Sequence, residues 1–243
     1  MALLLNCDLG ESFGSWTMGL DEAVFPHINQ ANIACGFHGG DPLVMMNTLK
    51  LAKKYGVMVG AHPAYPDLVG FGRRSMNCSE AEIIAFVLYQ MSALDGLAKS
   101  QGMDMEYVKP HGALYNDMMA KAEVRSAIMK AVSQFHRPVK LMLQATQDFA
   151  QHEKQASDLG IELLFEAFAD RCYADDGKLL SRALPGAVHN KEKMLAQVKQ
   201  LNEQGTITSV SGNTLMIKAD SLCVHGDNMD GVNAIAEIKE LIK

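Results

Sequence analysis

Short apolar runs alternate with longer amphipathic stretches from one end of this chain to the other, and that order leaves few folds open. Residues 2–5, 32–34, 57–61, 106–108, 139–143, 161–165, 207–210 and 221–224 read as strands. Between them lie helices. The clearest is expected to run from Asp41 to Tyr55: Asp41 is a good N-cap, Pro42 takes the first helical position and Gly56 supplies the stop. A second opens with a capping box, Ser79 facing Glu82, places Ile83, Val87, Met91, Leu94 and Ala98 on one face, and ends near Gly102. Further helices are expected over residues 121–135 and 191–204 and from Met229 to the C-terminus. A repeated strand-then-helix order implies a parallel sheet. Seven or eight such units in one domain, residues 1–243, imply closure into a barrel, with a doubly wound open sheet as the alternative. Residues 170–186 are the least regular stretch and suit a hairpin or a lid.

Composition narrows the functional classes. With 48% hydrophobic, 21% charged and 7% aromatic residues, the chain is neither disordered nor collagenous nor a coiled coil. Twenty-two Lys and Arg against 28 Asp and Glu give a net charge of −6, which offers no long-range attraction to nucleic acid or an anionic membrane. The cysteines Cys7, Cys35, Cys78, Cys172 and Cys223 are scattered and never form C-x-x-C, so reduced thiols in a cytoplasmic protein are expected. No export signal is expected at the start, and no apolar stretch is expected to approach the length of a membrane span.

Costly polar residues gather just after the strands. Asp8 and Glu11 follow the first, His38 and Asp41 the second, His62 and Asp67 the third, Lys109 and His111 the fourth. Asp170 and Arg171 come after the strand at 161–165, and His225 and Asp227 after the last. In a parallel barrel every strand C-terminus opens on one rim, so these residues converge. Glycines accompany each cluster, permitting close backbone approach. Asp41 is a helix cap first and a site residue second, and Arg73 and Arg74 are placed to clamp a carboxylate or phosphate or to form a solvated face. His27, His136, His152 and His189 lack such company and are expected on the surface or in the core, His152 on a surface helix. No Walker-type phosphate loop, G-x-G-x-x-G after a strand, G-x-S-x-G elbow or H-E-x-x-H helix is present. A metal held by Asp8, His38, His62 or His111 is open on residue type, though ligands from separate strands have no diagnostic spacing.

Read together, N-C-D-L-G-E-S from Asn6, A-N-I-A-C-G-F-H-G-G-D from Ala31, G-A-H-P-A-Y-P-D-L-V-G-F-G-R-R from Gly60, V-K-P-H-G-A-L-Y-N from Val108, F-A-D-R from Phe168 and C-V-H-G-D from Cys223 resemble the LamB/YcsF family. The resemblance implies an incomplete or distorted β/α barrel, similar to the glycoside hydrolase and deacetylase barrels. It implies the A subunit of a 5-oxoprolinase, opening 5-oxo-L-proline to L-glutamate with partner subunits B and C. ATP is then consumed by the complex and, without a nucleotide motif here, bound mainly by the partners. On that basis Asp8, His62, Lys109 and His111 are the catalytic candidates, with Asp8 and His111 first in line as general base. Glu11, His38, Arg73, Asp170, Arg171, His225 and Asp227 are the substrate-binding candidates. The alternatives are a free-standing metal-dependent deacetylase or amidase and a lactam-binding subunit without catalysis.

Overall fold

Seven of the eight expected strands do form one parallel ring. The computed structural model describes residues 3–181, 184–226 and 229–242, so Ala2, at the start of the first expected strand, and Asp227 lie outside the described residues. The first half runs β1 (Leu4–Leu9), α1 (Asp21–Val24), a 3-10 turn (Phe25–His27), β2 (Gln30–Ala34), α2 (Pro42–Tyr55), β3 (Met58–His62), α3 (Glu80–Ser100) and β4 (Met105–Val108). It continues α4 (Gly112–Ala120), α5 (Ala122–Ser133), β5 (Lys140–Gln144), α6 (Phe149–Ser157), β6 (Leu163–Phe168), α7 (Lys191–Gln204), β7 (Thr206–Thr208), β8 (Thr214–Met216), β9 (Ser221–Val224) and α8 (Met229–Leu241). The ring order is β1-β2-β3-β4-β5-β6-β9, closed where β9 pairs in parallel with both β6 and β1. The open doubly wound sheet is thereby excluded.

The local signals in the sequence account for the helices. Asp41 caps α2 by accepting from the amides of Leu43 and Val44, and Gly56 ends it at φ 65°. The Ser79–Glu82 capping box is formed in full at the start of α3. Two expectations need correction. Residues 207–210 do not enter the barrel: β7 is a three-residue arm of an antiparallel hairpin with β8, because Ile207 buries its side chain while Val210, the other apolar residue there, is exposed beside the turn at Gly212. And α3, at 21 residues, is long and apolar enough to cross a membrane by length and composition. Here it turns Ile83, Val87, Met91, Leu94 and Ala98 into the core between the barrel and α5, as a core helix does. His152 also departs from expectation: it is 5% exposed, because α6 packs that face inward. After β6 the antiparallel bridges Arg171–Val188 and Tyr173–Leu179 give the irregular stretch the hairpin-like pairing that is one of its two expected forms.

The barrel has an apolar outside and a polar inside. Leu5, Cys7 and Leu9 of β1, with Ala31 and Ile33 of β2, join the core beneath the helices. The alternate residues form a hydrogen-bonded column through the ring. Ser221 donates to Gln30 (2.7 Å) and accepts from Asn6 (2.7 Å), Asn32 donates to Asn6 (2.8 Å), and the Tyr107 hydroxyl donates to Asn32 (2.7 Å). Every rung is buried, so each donor has to be met inside the barrel. The Tyr107 ring fits because β3 offers Gly60, where a Cβ would stand 2.3 Å from the ring, beside a register shift between Val59 and Gly60. Gly60→Ala is therefore expected to force the ring from Asn32 and to destabilise the fold by about 1–3 kcal/mol, read as a lowered urea midpoint at unchanged m-value.

The loop after β1 is tied by Asp21, whose carboxylate accepts from the Gly10 amide at 2.9 Å. Burial, reinforced by the charge of Glu11, pushes the Asp21 carboxyl up from 3.8 to about 6. Since the folded value exceeds the unfolded one, the native state binds this proton more tightly. Its contribution to stability is complete below about pH 4 and is lost as pH rises through about 6. Asp21→Asn is expected to flatten that slope and to stabilise the protein near neutrality by about 1–3 kcal/mol, checked by thermal unfolding on both sides of the window.

Candidate active site

The C-terminal ends of the strands open on a cleft of about 240 Å³, and most of the costly polar residues meet there. Asp8 and Glu11 enter from the end of β1, His62 from β3, Lys109 and His111 from the segment after β4, and His225 from the segment after β9. Lys109 forms the floor. It is 3% exposed, with its ammonium 3.1 Å from Asp8, 3.0 Å from Glu166, 3.1 Å from the Asn6 side-chain oxygen and 3.3 Å from the Cys223 sulfur. Burial pulls this ammonium down, but Asp8, Cys223 and Glu166 reverse the effect and hold it well above the usual lysine value. Burial likewise opposes ionisation of Asp8, yet the facing His62 and Lys109 keep its carboxyl well below the usual range. So Asp8 is a fixed negative charge, and a weak proton acceptor.

One wall is built of imidazoles. His62 Nδ1 lies 2.7 Å from the Lys109 carbonyl oxygen, and His111 Nε2 lies 2.9 Å from that of Phe71. Their other nitrogens face one another at 3.0 Å. His38 sits behind, stacked on His111 with ring centres 3.7 Å apart and planes within 4°. Its Nε2 is 3.3 Å from Glu11 Oε1, which is also 3.5 Å from His111 Nδ1. Burial first, then the neighbouring imidazoles, hold His38 and His111 well below the usual histidine value. The Phe71 carbonyl reaches His111 because the loop is bent: Phe71 adopts φ 53°, a left-handed conformation costing about 1–3 kcal/mol in a non-glycine residue. Gly72 follows at φ 62°, and a Cβ there would stand 2.8 Å from the His111 ring.

Across the cleft His225 points Nδ1 at Asp170, 3.2 Å away. Burial lowers the affinity of His225 for a proton, but Asp170 outweighs it and the net shift is upward. Arg73 lies exposed at the mouth with its guanidinium 5.1 Å from the Phe71 ring.

Several candidates take other posts. Arg171 lines the cleft, but its Nη2 donates to the Leu180 carbonyl at 2.6 Å and its Nε to that of Ala187, pinning the 170–186 loop. Asp67 is drawn away from the rim by Arg74, whose Nε is 3.0 Å from its carboxylate. Asp41 is the cap of α2 and also accepts from the Gly14 amide. Glu166, fully buried on β6, escapes the sequence reading, because the strand expected at 161–165 stops one residue short of it. An acidic residue inside an otherwise apolar strand is the signal that finds it. Of the four residues singled out as metal candidates, His38, His62 and His111 form a compact group. Glu11 stands in it in place of the expected Asp8, the four ligand atoms lying within 4.8 Å of one another.

A parallel β/α barrel of seven strands with a charged cleft on its C-terminal rim is the architecture that places small-molecule sites at that end of the strands. Within that class the chain belongs to the LamB/YcsF family, whose model matches residues 3–243. It is 51% identical over 241 residues to a protein of Pseudomonas fluorescens (strain Pf0-1) named as the A subunit of 5-oxoprolinase, covering 99% of this chain and 96% of that one. To a Pseudomonas putida (strain KT2440) protein named as a second such A subunit it is 52% identical, covering 99% and 93%. The crystal structure of the lactam utilization protein from Thermus thermophilus superimposes with a TM-score of 0.92 at 38% identity, covering 99% of this chain and 96% of that one.

The floor of the cleft yields a stability test. Removing Lys109 strands two carboxylates, so Lys109→Met is expected to cost about 3–5 kcal/mol, and adding Glu166→Gln is expected to recover part of it. Urea unfolding of the single and double variants measures the recovery, which additivity would forbid.

Proposed function

We propose that this chain opens the lactam of 5-oxo-L-proline to L-glutamate as the A subunit of an ATP-dependent 5-oxoprolinase, in a cytoplasmic complex with partner subunits B and C. The observation that carries the reading is the 51% identity, across 99% of the chain, to a protein of that name. The cleft supports it by its chemistry. A lactam is a resonance-stabilised amide whose ring opening has a poor equilibrium, so coupling to ATP drives what simple hydrolysis would not. The chain has no Walker-type loop, so ATP is bound mainly by the partners, which transfer a phosphoryl group to the lactam oxygen. Water then adds to the activated carbon, the C–N bond breaks as nitrogen takes a proton, and a second water releases phosphate.

The side chains divide this work. Lys109 offers a fixed positive charge to the developing oxyanion, and Asp8 fixes Lys109 and His62 rather than acting as base. His62 and His111, whose ring nitrogens face each other at 3.0 Å, form the polar wall against which the attacking water is placed. His225, backed by Asp170, carries protons to and from the ring nitrogen, an imidazole oriented by a carboxylate. Arg73, at the mouth, receives the substrate carboxylate. The imidazole wall also favours a second reading, a metal-dependent amidase acting alone.

Glutamate release separates the two. With 5-oxoproline, turnover is expected only when this chain, both partners and ATP are combined; turnover by the chain alone without ATP would instead establish the amidase. In the assembled complex Asp8→Asn is expected to lower turnover roughly 10²-fold or more. Because Asp170 raises the proton affinity of His225, the acid limb of the kcat/KM profile is expected above the ordinary histidine value of 6.5. Asp170→Asn is expected to move that limb to lower pH, and an unmoved limb would remove His225 from the mechanism.

A further inference from the structure

His62 and His111 each hold one ring nitrogen against a backbone carbonyl, at 2.7 Å from Lys109 and 2.9 Å from Phe71. A carbonyl oxygen only accepts, so those nitrogens, His62 Nδ1 and His111 Nε2, carry the hydrogens. In the neutral rings the remaining nitrogens, His62 Nε2 and His111 Nδ1, are then both lone-pair acceptors, and they face each other at 3.0 Å. Around them stand more acceptors: Asp8 Oδ2 at 3.3 Å from His62 Nε2, and Glu11 Oε1 at 3.5 Å from His111 Nδ1. His38, 1% exposed, makes no hydrogen bond to the described residues through either ring nitrogen, while its Nε2 lies 3.3 Å from the same Glu11 oxygen. A single proton shared by His62 and His111 would reconcile those two nitrogens and still leave the His38 ring nitrogens without a hydrogen bond.

We propose that Glu11, His38, His62 and His111 hold one divalent transition-metal ion of the zinc class. Three imidazole nitrogens and one carboxylate oxygen are a donor set suited to zinc, cobalt or manganese rather than calcium or magnesium. The outer contacts are already those of a metal site: two of the imidazoles give their other N–H to backbone carbonyls, which fixes tautomer and ring plane. Asp8 takes no ligand position. Its Oδ1 accepts from Asn32 at 2.7 Å and from Lys109 at 3.1 Å, leaving Oδ2 beside His62. Such an ion supplies Lewis-acid polarisation of an oxygen at the cleft wall. The inference goes beyond the lactam reading and rests on no part of it, since neither ATP nor partner subunits enter.

The full chain, stripped with a chelator and titrated with cobalt(II) and separately with zinc(II), tests the site by metal content, visible absorption and thermal unfolding. About one ion per chain is expected, with the d–d absorption of a histidine-rich cobalt site and a rise in unfolding temperature with zinc concentration. His38→Ala and His62→Gln are expected to weaken binding roughly 100-fold or more, and His136→Ala, at an exposed position, to leave it unchanged. If either variant fails to fold, Glu11→Gln and the wild-type cobalt spectrum decide in its place. Wild-type protein that takes up no stoichiometric metal, or uptake that persists undiminished in the ligand variants, overturns the proposal. An imidazole–imidazolium pair at His62 and His111 seen by nitrogen NMR and indifferent to zinc overturns it in favour of a shared proton.

Discussion

An ammonium group at the bottom of a closed barrel is the constraint on which the rest of the molecule depends. Lys109 is almost wholly removed from water, and desolvating a lone cation costs several kcal/mol. The fold meets that cost with two carboxylates from the strands that flank β9, Asp8 on β1 and Glu166 on β6, and with the Asn6 amide oxygen. Once those are fixed, the interior can no longer be filled with branched aliphatics. Asn6, Asn32, Tyr107, Gln30 and Ser221 form a polar column in which each group is held by the next. Hydrophobic stability is left to the layer between strands and helices, where Leu5, Ile33, Leu49, Val87, Leu94 and Met105 are buried.

That division explains what is legible in the sequence. Apolar alternation, caps and glycine stops are local signals, so α2, α3 and α7 fall where expected and β9 does so residue for residue. The rim residues are legible because each follows an apolar run, and parallel topology sends all such positions to one end. What local pattern does not supply is partnership. Arg171 reads in sequence as a substrate-binding candidate, but backbone carbonyls 9 and 16 residues further on claim its guanidinium. Asp67 shares a loop with Arg74, seven residues away, and leaves the rim for it. Glu166 stays hidden because the apolar run that marks its strand ends one residue before it, and the apolar character of its neighbours decides the reading.

The imidazole wall shows the opposite relation, in which strain in one loop serves a distant group. Phe71 sits in the left-handed region and Gly72 after it, and this bend alone turns the Phe71 carbonyl onto His111. The bend is held by Gly112, whose own φ of 53° and missing side chain let the Gly72 carbonyl come close enough to accept from the Ala113 amide at 2.9 Å. A Cβ on Gly112 would stand 2.6 Å from that oxygen. These glycines therefore act through the tautomer of His111: with its Nε2 committed to donation, only Nδ1 faces the cleft.

The segment Val108-Lys109-Pro110-His111-Gly112 ties these elements together, and its contiguity is a physical requirement. The Lys109 amide extends the β4 ladder by donating to Ala61, its carbonyl accepts from His62 Nδ1, and its side chain drops to the floor to bind Asp8 and Glu166. Pro110 removes a donor that would have no ladder partner past the strand end and fixes φ there. The next amide, from His111, reaches Pro63, so the ring beyond it is placed from β3 and β4 together. One residue inserted between Lys109 and His111 would keep the floor and lose the wall. The charged floor and the imidazole wall are thus set by a single backbone path, and their relative placement rests on the unbroken spacing from Lys109 to His111.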